Sequence, residues 1–242
     1  MPDKFPTQPE SLRRSRWLIV VIFAIAMAWV ESSVVLYLRT MLDRLNPYQP
    51  EPLPVVGGLA TAEIVREAAT LVMLASVGWL AGWNRRSRLG YFLTAFGVWD
   101  LFYYVFLKVL TGWPHSLFDW DVLFLIPLPW WGPVLAPVLI ALLMIAWGTL
   151  ASQSGRARPL TLSNVTAWGL NFIGTGLALY VFMADALRVA DRGAEVIRNV
   201  LPTRFDWPLF CVALLFMSAP ALECVWAARF GGNAVTTASP VD

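Results

Sequence analysis

An aspartate stands in the middle of one of the most apolar stretches of the sequence. Asp100 interrupts the run VWDLFYYVFLK at positions 98–108, and the apolar character continues on both sides. A lone aspartate near the centre of a bilayer costs about 2.5–3.5 kcal/mol on insertion scales, so it has to find a partner or keep its proton. A carboxylic acid that stays protonated in an apolar site can transfer that proton to a substrate. Asp100 is therefore a candidate acid/base residue.

Two further carboxylates are predicted at a similar height on neighbouring helices. Glu31 lies near the outer end of the first predicted span, and Glu67 lies in the second, four residues after Glu63 and next to Arg66. Residues at this spacing share one face of a helix, so carboxylates and a guanidinium there predict a hydrogen-bonded network. We predict Asp100, Glu67 and Glu31 as the acid/base residues. The accompanying substrate-binding or network residues are predicted to be Arg39, Glu63, Arg66, Trp99, Tyr103, Tyr104, Lys108, His115 and Asp121.

These charges are predicted to lie in the half of the membrane domain that faces away from the cytoplasm. The inner half of the predicted spans contributes Glu223 alone. An ionisable residue inside a membrane is, by default, taken to indicate a functional site. A purely structural network that ties helices together is the alternative, and residues at helix ends are expected to be solvated. The residues expected to be solvated are Glu63, Asp119, Asp185 and Arg188.

Several classes of function do not fit the composition. A haem site with two histidine ligands needs a second histidine, and the chain has one. The sequence has no Gly-rich phosphate loop, no CxxC pair and no nucleophile elbow. A carboxylate metal site would be opposed by the neighbouring arginine and lysine side chains. We therefore expect no cofactor and no metal, and the net charge of +2 gives no reason to expect a nucleic-acid partner.

The elements that must position these residues are membrane-spanning helices. The chain is 58% hydrophobic and 14% charged, whereas soluble domains have about 45–50% and 25%. A helix needs about 20 apolar residues to cross a bilayer. Six segments meet this requirement: 17–38, 61–83, 89–110, a fourth within 122–150, 162–184 and 207–228. The predicted fold is an all-α bundle of six transmembrane helices.

Basic residues predict the orientation, because lysine and arginine accumulate on cytoplasmic loops. With six spans, the following all fall on one side: Arg13, Arg14, Arg16, Arg85, Arg86, Arg88, Arg156, Arg158 and Arg229. Both termini are then cytoplasmic, with an N-terminal segment 1–16, a membrane domain 17–228 and a flexible tail 229–242. The first span also resembles a secretory signal peptide. Its apolar character continues to Leu38, which is longer than a signal core, so we expect it to remain uncleaved.

The fourth span has an irregular start. Pro127, Pro129, Pro133 and Pro137 crowd its outer end, and proline breaks helices. We predict that 126–132 is extended and that a helix begins near Pro133. An interfacial turn and a segment folded over a cavity both remain open.

Spacing within the other spans predicts how they pack. Small residues four apart allow helices to approach closely, which applies to Ala24, Ala28 and Ser32 and to Gly78 and Gly82. Asn164 and Asn171 are expected to form hydrogen bonds within the bundle.

Two resemblances rest on these motifs. Trp99-Asp100-x-x-Tyr103 resembles an acid-bearing helix of the integral-membrane terpene cyclases, which are seven-span enzymes of similar length. The runs ESSVVLYLR, EIVREAATLVML, VWDLFYYVFLKVLTGWPHSL and LFLIPLPWWGPVLAP resemble a family of bacterial multi-pass membrane proteins of unassigned function. The second resemblance implies a bacterial cytoplasmic (inner) membrane and implies no activity.

Two classes of function remain open. The first is an acid/base site that acts on a lipid or isoprenoid-like apolar substrate, with aromatic side chains that steady a cation. The second is a non-enzymatic subunit of a membrane complex, or a small proton-coupled transporter, that uses the same polar network. In both, the expected surroundings are the lipid bilayer and an apolar or lipid ligand.

Overall fold

Helices account for most of the chain that the computed structural model describes, which comprises residues 9–43, 47–48, 58–153 and 165–230. They are α1 (Glu10–Met41), α2 (Leu59–Ala81), α3 (Arg85–Thr111), α4 (Leu135–Gln153), α5 (Val165–Arg188), α6 (Ala194–Arg198) and α7 (Trp207–Phe230). A 3-10 turn, Ala190–Arg192, precedes α6. Three features of the sequence prediction lie outside the described residues, wholly or in large part: Arg156 with Arg158, Asn164 and the tail 229–242.

Five helices in the described residues are long and apolar enough to cross a membrane. They include all of α1, α3 and α4, most of α2, and α5 with the turn that follows it, and their most apolar windows have mean hydropathies of 1.4 to 2.4. The described apolar part of α7 is shorter, Trp207–Glu223. The chain therefore has the helices of a membrane-embedded protein.

The bounds of α3 follow from its capping residues. The side chain of Asn84 accepts a hydrogen bond from the Ser87 N–H at 2.8 Å, and the Ser87 hydroxyl accepts one from the Asn84 N–H at 3.0 Å. This reciprocal cap satisfies donors that a helix start otherwise leaves open. It places the start at Arg85, four residues before the predicted one. The helix ends where Gly112 adopts a positive φ of 76°.

The predicted close approach between helices is confirmed. Ala24, Ala28 and Ser32 are buried, and the Ser32 hydroxyl donates to the Tyr103 carbonyl oxygen at 3.2 Å, which joins α1 to α3. At Gly78, a Cβ would lie 2.7 Å from the backbone nitrogen of Phe92, so α2 and α3 touch backbone to backbone there. The helix α3 thus lies at the centre of one group, with α1, α2 and α4 around it.

The helix α7 packs against α5 and also touches α4. The Asn171 side chain donates to the Met217 carbonyl oxygen at 2.8 Å, which confirms its predicted hydrogen bond within the bundle. At Gly174, a Cβ would lie 2.6 Å from the Ala213 carbonyl oxygen. The second group of helices is therefore packed as closely as the first.

A short β-hairpin precedes α4, and it corrects the all-α expectation. Its strands are β1 (Trp120–Val122) and β2 (Trp131–Pro133), which pair antiparallel with Asp121 opposite Gly132. The prediction of extended backbone before α4 is confirmed at β2, and the helix starts at Leu135, close to the predicted Pro133. No sequence pattern indicated a partner strand, because a strand of three residues is too short to show alternation.

The contact between α3 and α4 generates a first prediction. A Cβ at Gly97 would lie 2.5 Å from the Ala141 carbonyl oxygen, whereas nothing lies within 4 Å of the same position at Gly176 on α5. Gly97→Ala should lower the free energy of unfolding by about 1–3 kcal/mol, because overpacking forces the helices apart. Gly176→Ala should leave it unchanged or raise it. Thermal unfolding in mild detergent measures both, and equal behaviour of the two variants would contradict this packing.

Candidate functional site

An ion pair connects α1 with α2 in the half of the bundle that contains the hairpin. The Arg66 guanidinium donates two hydrogen bonds to one oxygen of Glu63, at 3.0 Å from Nε and 2.7 Å from Nη2. Its third nitrogen contacts the Glu31 carboxylate on α1. The Thr70 hydroxyl lies 3.5 Å from that carboxylate. The structure therefore brings Glu31, Glu63 and Arg66 together, and it adds Thr70 to them.

Glu67 fastens the hairpin to α2. Both of its carboxylate oxygens accept a hydrogen bond from the backbone N–H of Leu125, at 3.1 and 3.0 Å. Leu125 lies in the connection between β1 and β2. The Glu67 side chain is buried, so its charge is matched by this donor and by the neighbouring Arg66. A backbone donor has no sequence signature, which is why this contact was not predicted.

Asp121 fastens the other end of the hairpin to α1 and α3. One of its oxygens accepts from Arg39 at 3.3 Å, and the other accepts from the Tyr104 hydroxyl at 3.2 Å. The Arg39 guanidinium also lies 4.4 Å from the centroid of the Trp113 ring, an arrangement that favours the cation. Asp121 is only 1% exposed. Two separate polar contacts, one at Glu67 and one at Asp121, therefore hold the hairpin on the first group of helices.

Burial governs the protonation of Asp121, which lies outside the membrane-spanning segments. Desolvation raises its pKa from 3.8 to about 6, although Arg39, the Tyr104 hydroxyl and the Val122 N–H each act to lower it. A buried carboxylate loses the water that stabilises its charge, so burial favours the protonated form. Asp121 therefore changes charge about two pH units above an ordinary aspartate.

Tyr103 lies close to charges of both groups. It interacts with Arg39 and Asp121 of one group and with Arg66 of the other. Its backbone carbonyl accepts from Ser32. The two groups of charges are thus parts of one polar region, and Tyr103 lies close to both.

Asp100 is also close to this region but takes no part in its pairing. Its side chain is partly exposed, and within the described residues it makes no hydrogen bond and no ion pair. Gly97 and Tyr104 share its face of α3. Gly97 is pressed against α4, and Tyr104 donates to β1. Asp100 therefore faces the space between α4 and the hairpin, and the expected convergence with Glu31, Arg66 and Glu67 is not found at the level of direct contact.

Aromatic rings form a continuous series beside Asp100. Phe96 contacts Trp99 at a centroid distance of 5.4 Å, and Trp99 stacks on Tyr103 at 6.4 Å. Phe96 also stacks on Phe124 of the hairpin connection at 6.3 Å. From there the series continues through Trp130, 5.2 Å from Phe124. The sequence indicated the rings on α3, but the rings that the hairpin adds required the fold.

The series ends on the second group of helices, and two of its indoles lack a partner. Trp130 stacks on Phe182 of α5 with parallel planes, 8° apart. The buried indole nitrogens of Trp99 and Trp130 have no hydrogen-bond partner among the described residues. Buried donors in native proteins almost always have one. Within the described residues these two N–H groups are therefore exceptions to that rule, as are the indole nitrogens of Trp131 and Trp147.

Lys108 and His115 do not join the cluster that the sequence predicted for them. Lys108 is exposed and donates to the Gly112 carbonyl at 2.8 Å, where a cation complements the open carbonyls at the end of α3. His115 is exposed, and its backbone N–H donates to Asp119 at 2.7 Å. Both side chains therefore belong to the surface beyond α3.

Asp185 and Glu63 correct a second expectation, since neither is simply solvated. Asp185 is buried, and it accepts from the Thr203 hydroxyl at 2.8 Å and from Arg188 at 3.2 Å. Glu63 is held by Arg66. Both carboxylates lie near helix ends. The Arg66–Glu63 pair follows from their spacing on α2, whereas the bond from Thr203 to Asp185 joins residues 18 positions apart, which sequence position alone does not reveal.

Comparison with known proteins returned no match to a protein family model, to a curated protein or to a solved structure. Within the described residues, no group of three or more His, Cys, Asp or Glu side chains is placed to hold a metal ion. Function therefore has to be inferred from the paired charges, the unpaired Asp100 and the aromatic series.

The pairing of Glu31 with Arg66 generates a second prediction. A double-mutant cycle with Glu31→Gln and Arg66→Gln should give a coupling energy of about 0.5–3 kcal/mol, because both side chains are largely withdrawn from water. The exposed pair Glu10–Arg14, 2.7 Å apart, is the matched control. Its coupling should be about 0–1 kcal/mol, because water and side-chain entropy offset an exposed pair. Equal couplings would contradict a buried pair at Arg66.

The environment of Asp121 generates a third prediction. Its carboxyl signal in labelled protein, followed by NMR or infrared difference spectroscopy, should titrate near pH 6. Arg39→Gln should move this midpoint upward, because the cation that favours the carboxylate is lost. The folded state binds this proton more tightly than the unfolded state, so the free energy of unfolding should fall as pH rises from about 4 to about 6. Asp121→Asn should abolish that part of the pH dependence, and a midpoint near 3.8 would refute it.

Proposed function

We propose that the chain is a six-span protein of a bacterial cytoplasmic (inner) membrane with both termini in the cytoplasm. Five apolar helices support the membrane assignment. The sixth span would be α7, whose 24 residues extend about 36 Å at 1.5 Å per residue, enough for a bilayer core. The distribution of arginines supports the orientation, and the resemblance to bacterial multi-pass proteins supports the location. Asp100 and the hairpin then face the outer leaflet.

We propose further that Asp100 is the acid/base residue of a site that acts on a lipid or isoprenoid-like apolar substrate. The single observation that carries this proposal is the lack of a polar partner for Asp100 among the described residues, while the neighbouring carboxylates are paired. An unpaired carboxyl in apolar surroundings favours its neutral form. In that form it can donate a proton, and afterwards it can accept one.

The chemistry follows from the groups around Asp100. Its O–H bond breaks as the proton moves to a double bond or an oxygen of the substrate, which leaves a carboxylate and a cationic substrate. The faces of Phe96, Trp99 and Tyr103 supply negative electrostatic potential that steadies such a cation. The carboxylate then recovers a proton from the product. Glu31 and Glu67, which the sequence offered as further acid/base residues, hold Arg66 and the hairpin in this scheme.

A non-enzymatic role is the second candidate, either as a subunit of a membrane complex or as a small proton-coupled transporter. The observation in its favour is that the paired charges each connect different elements: α1 with α2, α2 with the hairpin, and α1 and α3 with the hairpin. A network whose only role is to hold helices together would pair different elements in this way. The two candidates differ at Asp100, which contributes nothing to that network.

A fourth prediction separates these candidates. A deletion strain should show an altered profile of lipids or isoprenoids, and Asp100→Asn should reproduce it at normal membrane abundance, because Asn keeps the shape but cannot carry the proton. Asp119→Asn is the matched control. Asp119 accepts backbone hydrogen bonds in an exposed turn, and Asn can do the same, so its profile should remain that of the wild type.

Glu67→Gln should give an intermediate result, because Gln still accepts from the Leu125 N–H but the charge beside Arg66 is lost. Quantitative lipid mass spectrometry with an immunoblot for abundance measures all three variants. A wild-type profile for Asp100→Asn at wild-type abundance would remove the catalytic proposal and leave the non-enzymatic role.

A further inference from the structure

A second site lies at the opposite end of the bundle from the hairpin, where α1 begins and α4 ends. A groove of about 660 Å³ opens there between the two helices. The residues of its lining that bear on its function are Arg13, Arg14, Trp17, Leu18, Thr149 and Gln153. It is independent of Asp100 and goes beyond the function proposed above.

Hydrogen bonds between α1 and α4 fix the walls of the groove. The Trp17 indole N–H donates to the Thr149 hydroxyl at 3.1 Å, and the Gln153 amide donates to the Arg13 carbonyl oxygen at 3.2 Å. Tyr91 of α3 donates to the same carbonyl at 3.3 Å. These contacts use the backbone carbonyl of Arg13. Hydrogen bonds from α3 and α4 therefore hold the start of α1 in place beside the groove.

The charge of the groove lining is positive on balance, because two arginines, Arg13 and Arg14, stand against one carboxylate, Glu10. Arg14 pairs with Glu10 at 2.7 Å, but 75% of the Arg14 side chain is exposed, so that pair is weak and easily exchanged. Arg16 donates to the Ala81 carbonyl at 3.0 Å, which brings the basic start of α3 to the same end of the bundle. Guanidinium groups bind phosphate oxygens through two parallel hydrogen bonds. The groove thus suits a phosphate better than a neutral or cationic ligand.

An apolar strip leads away from the basic end. Leu18 and Ile22 are one turn apart on α1 and are 53% and 65% exposed. Both belong to a helix that can span a membrane, so this strip faces hydrocarbon. Trp17 lies between the strip and the arginines, at the position that indole rings favour at a membrane surface. A ligand that fits both parts has an anionic head and an apolar tail.

We propose that this groove binds an anionic phospholipid of the adjacent leaflet, with its phosphate at Arg13 and Arg14 and one acyl chain along Leu18 and Ile22. Basic recesses between transmembrane helices on the cytoplasmic side suit acidic lipid head groups. The bound lipid connects the start of α1 to the end of α4 and adds its contacts to the hydrogen bonds that already join these helices.

Binding of defined lipids to the purified full-length chain tests this proposal by native mass spectrometry. Phosphatidylglycerol should bind at least about tenfold more tightly than phosphatidylcholine. The double variant Arg13→Gln, Arg14→Gln should lose about tenfold in affinity for phosphatidylglycerol, because it removes the two basic side chains that attract the acidic head group. The single variant Arg14→Gln, at an exposed position, should lose a smaller part without any effect on folding.

Two controls make the test specific. The double variant Arg85→Gln, Arg86→Gln removes the same charge at the same end outside the groove lining, and its affinity should stay within about twofold of the wild type. Leu18→Ala with Ile22→Ala should weaken binding of the lipid but not of inorganic phosphate, which separates a lipid from a free anion.

Three outcomes would overturn the proposal: equal losses in the two arginine double variants, equal binding of both lipids, or binding of inorganic phosphate as tight as that of phosphatidylglycerol. If the melting curve shows that the Arg13→Gln, Arg14→Gln protein is unfolded, the loss of affinity in the single variant Arg14→Gln tests the proposal instead. Asp100→Asn should bind phosphatidylglycerol as the wild type does, so failure here and failure of the proposed function are distinguishable.

Discussion

Inside a bilayer there is no water to satisfy a polar group, so each one has to be satisfied by another part of the protein. In this chain several of the buried charges meet the constraint through contacts between different elements. Arg66 reaches across to Glu31, Glu67 accepts from the backbone of the hairpin, and Arg39 pairs with Asp121. The charges that are costly to bury therefore determine where the hairpin lies, and the hairpin in turn determines what surrounds Asp100.

The hairpin also connects the two groups of helices. On one side it is fastened to α1, α2 and α3 by polar contacts, and on the other Trp130 stacks on Phe182 of α5. A Cβ at Gly132 would lie 2.7 Å from the Phe182 ring, so β2 itself is pressed against α5. The face of α3 that carries Asp100 thus lies between the polar contacts of the hairpin with the first group of helices and the aromatic rings that lead toward α5.

The sequence was sufficient for the helices and for part of the site. Length and hydropathy located the spans, and the spacing of Ala24, Ala28 and Ser32 indicated a packed face because that face is a property of one helix. The spacing of Arg66 and Glu63 indicated their pairing for the same reason. Thr70 lies one turn beyond Arg66 on the same face of α2, so the same pattern could have indicated that it belongs to the group. The bonds of Glu67 to Leu125 and of Tyr104 to Asp121 join residues far apart in the chain. They depend on a hairpin that local patterns do not encode, and so does the separation of Asp100 from the paired charges.

The bond between Glu67 and the hairpin uses the main chain of residue 125. The side chain of Leu125 takes no part in it, so any amino acid with a backbone N–H can stand there, and proline alone removes the donor. The position can therefore diversify among related sequences while the anchorage stays intact. Substitutions at 125 offer a way to change the side chain that the hairpin connection presents without loosening its attachment to α2.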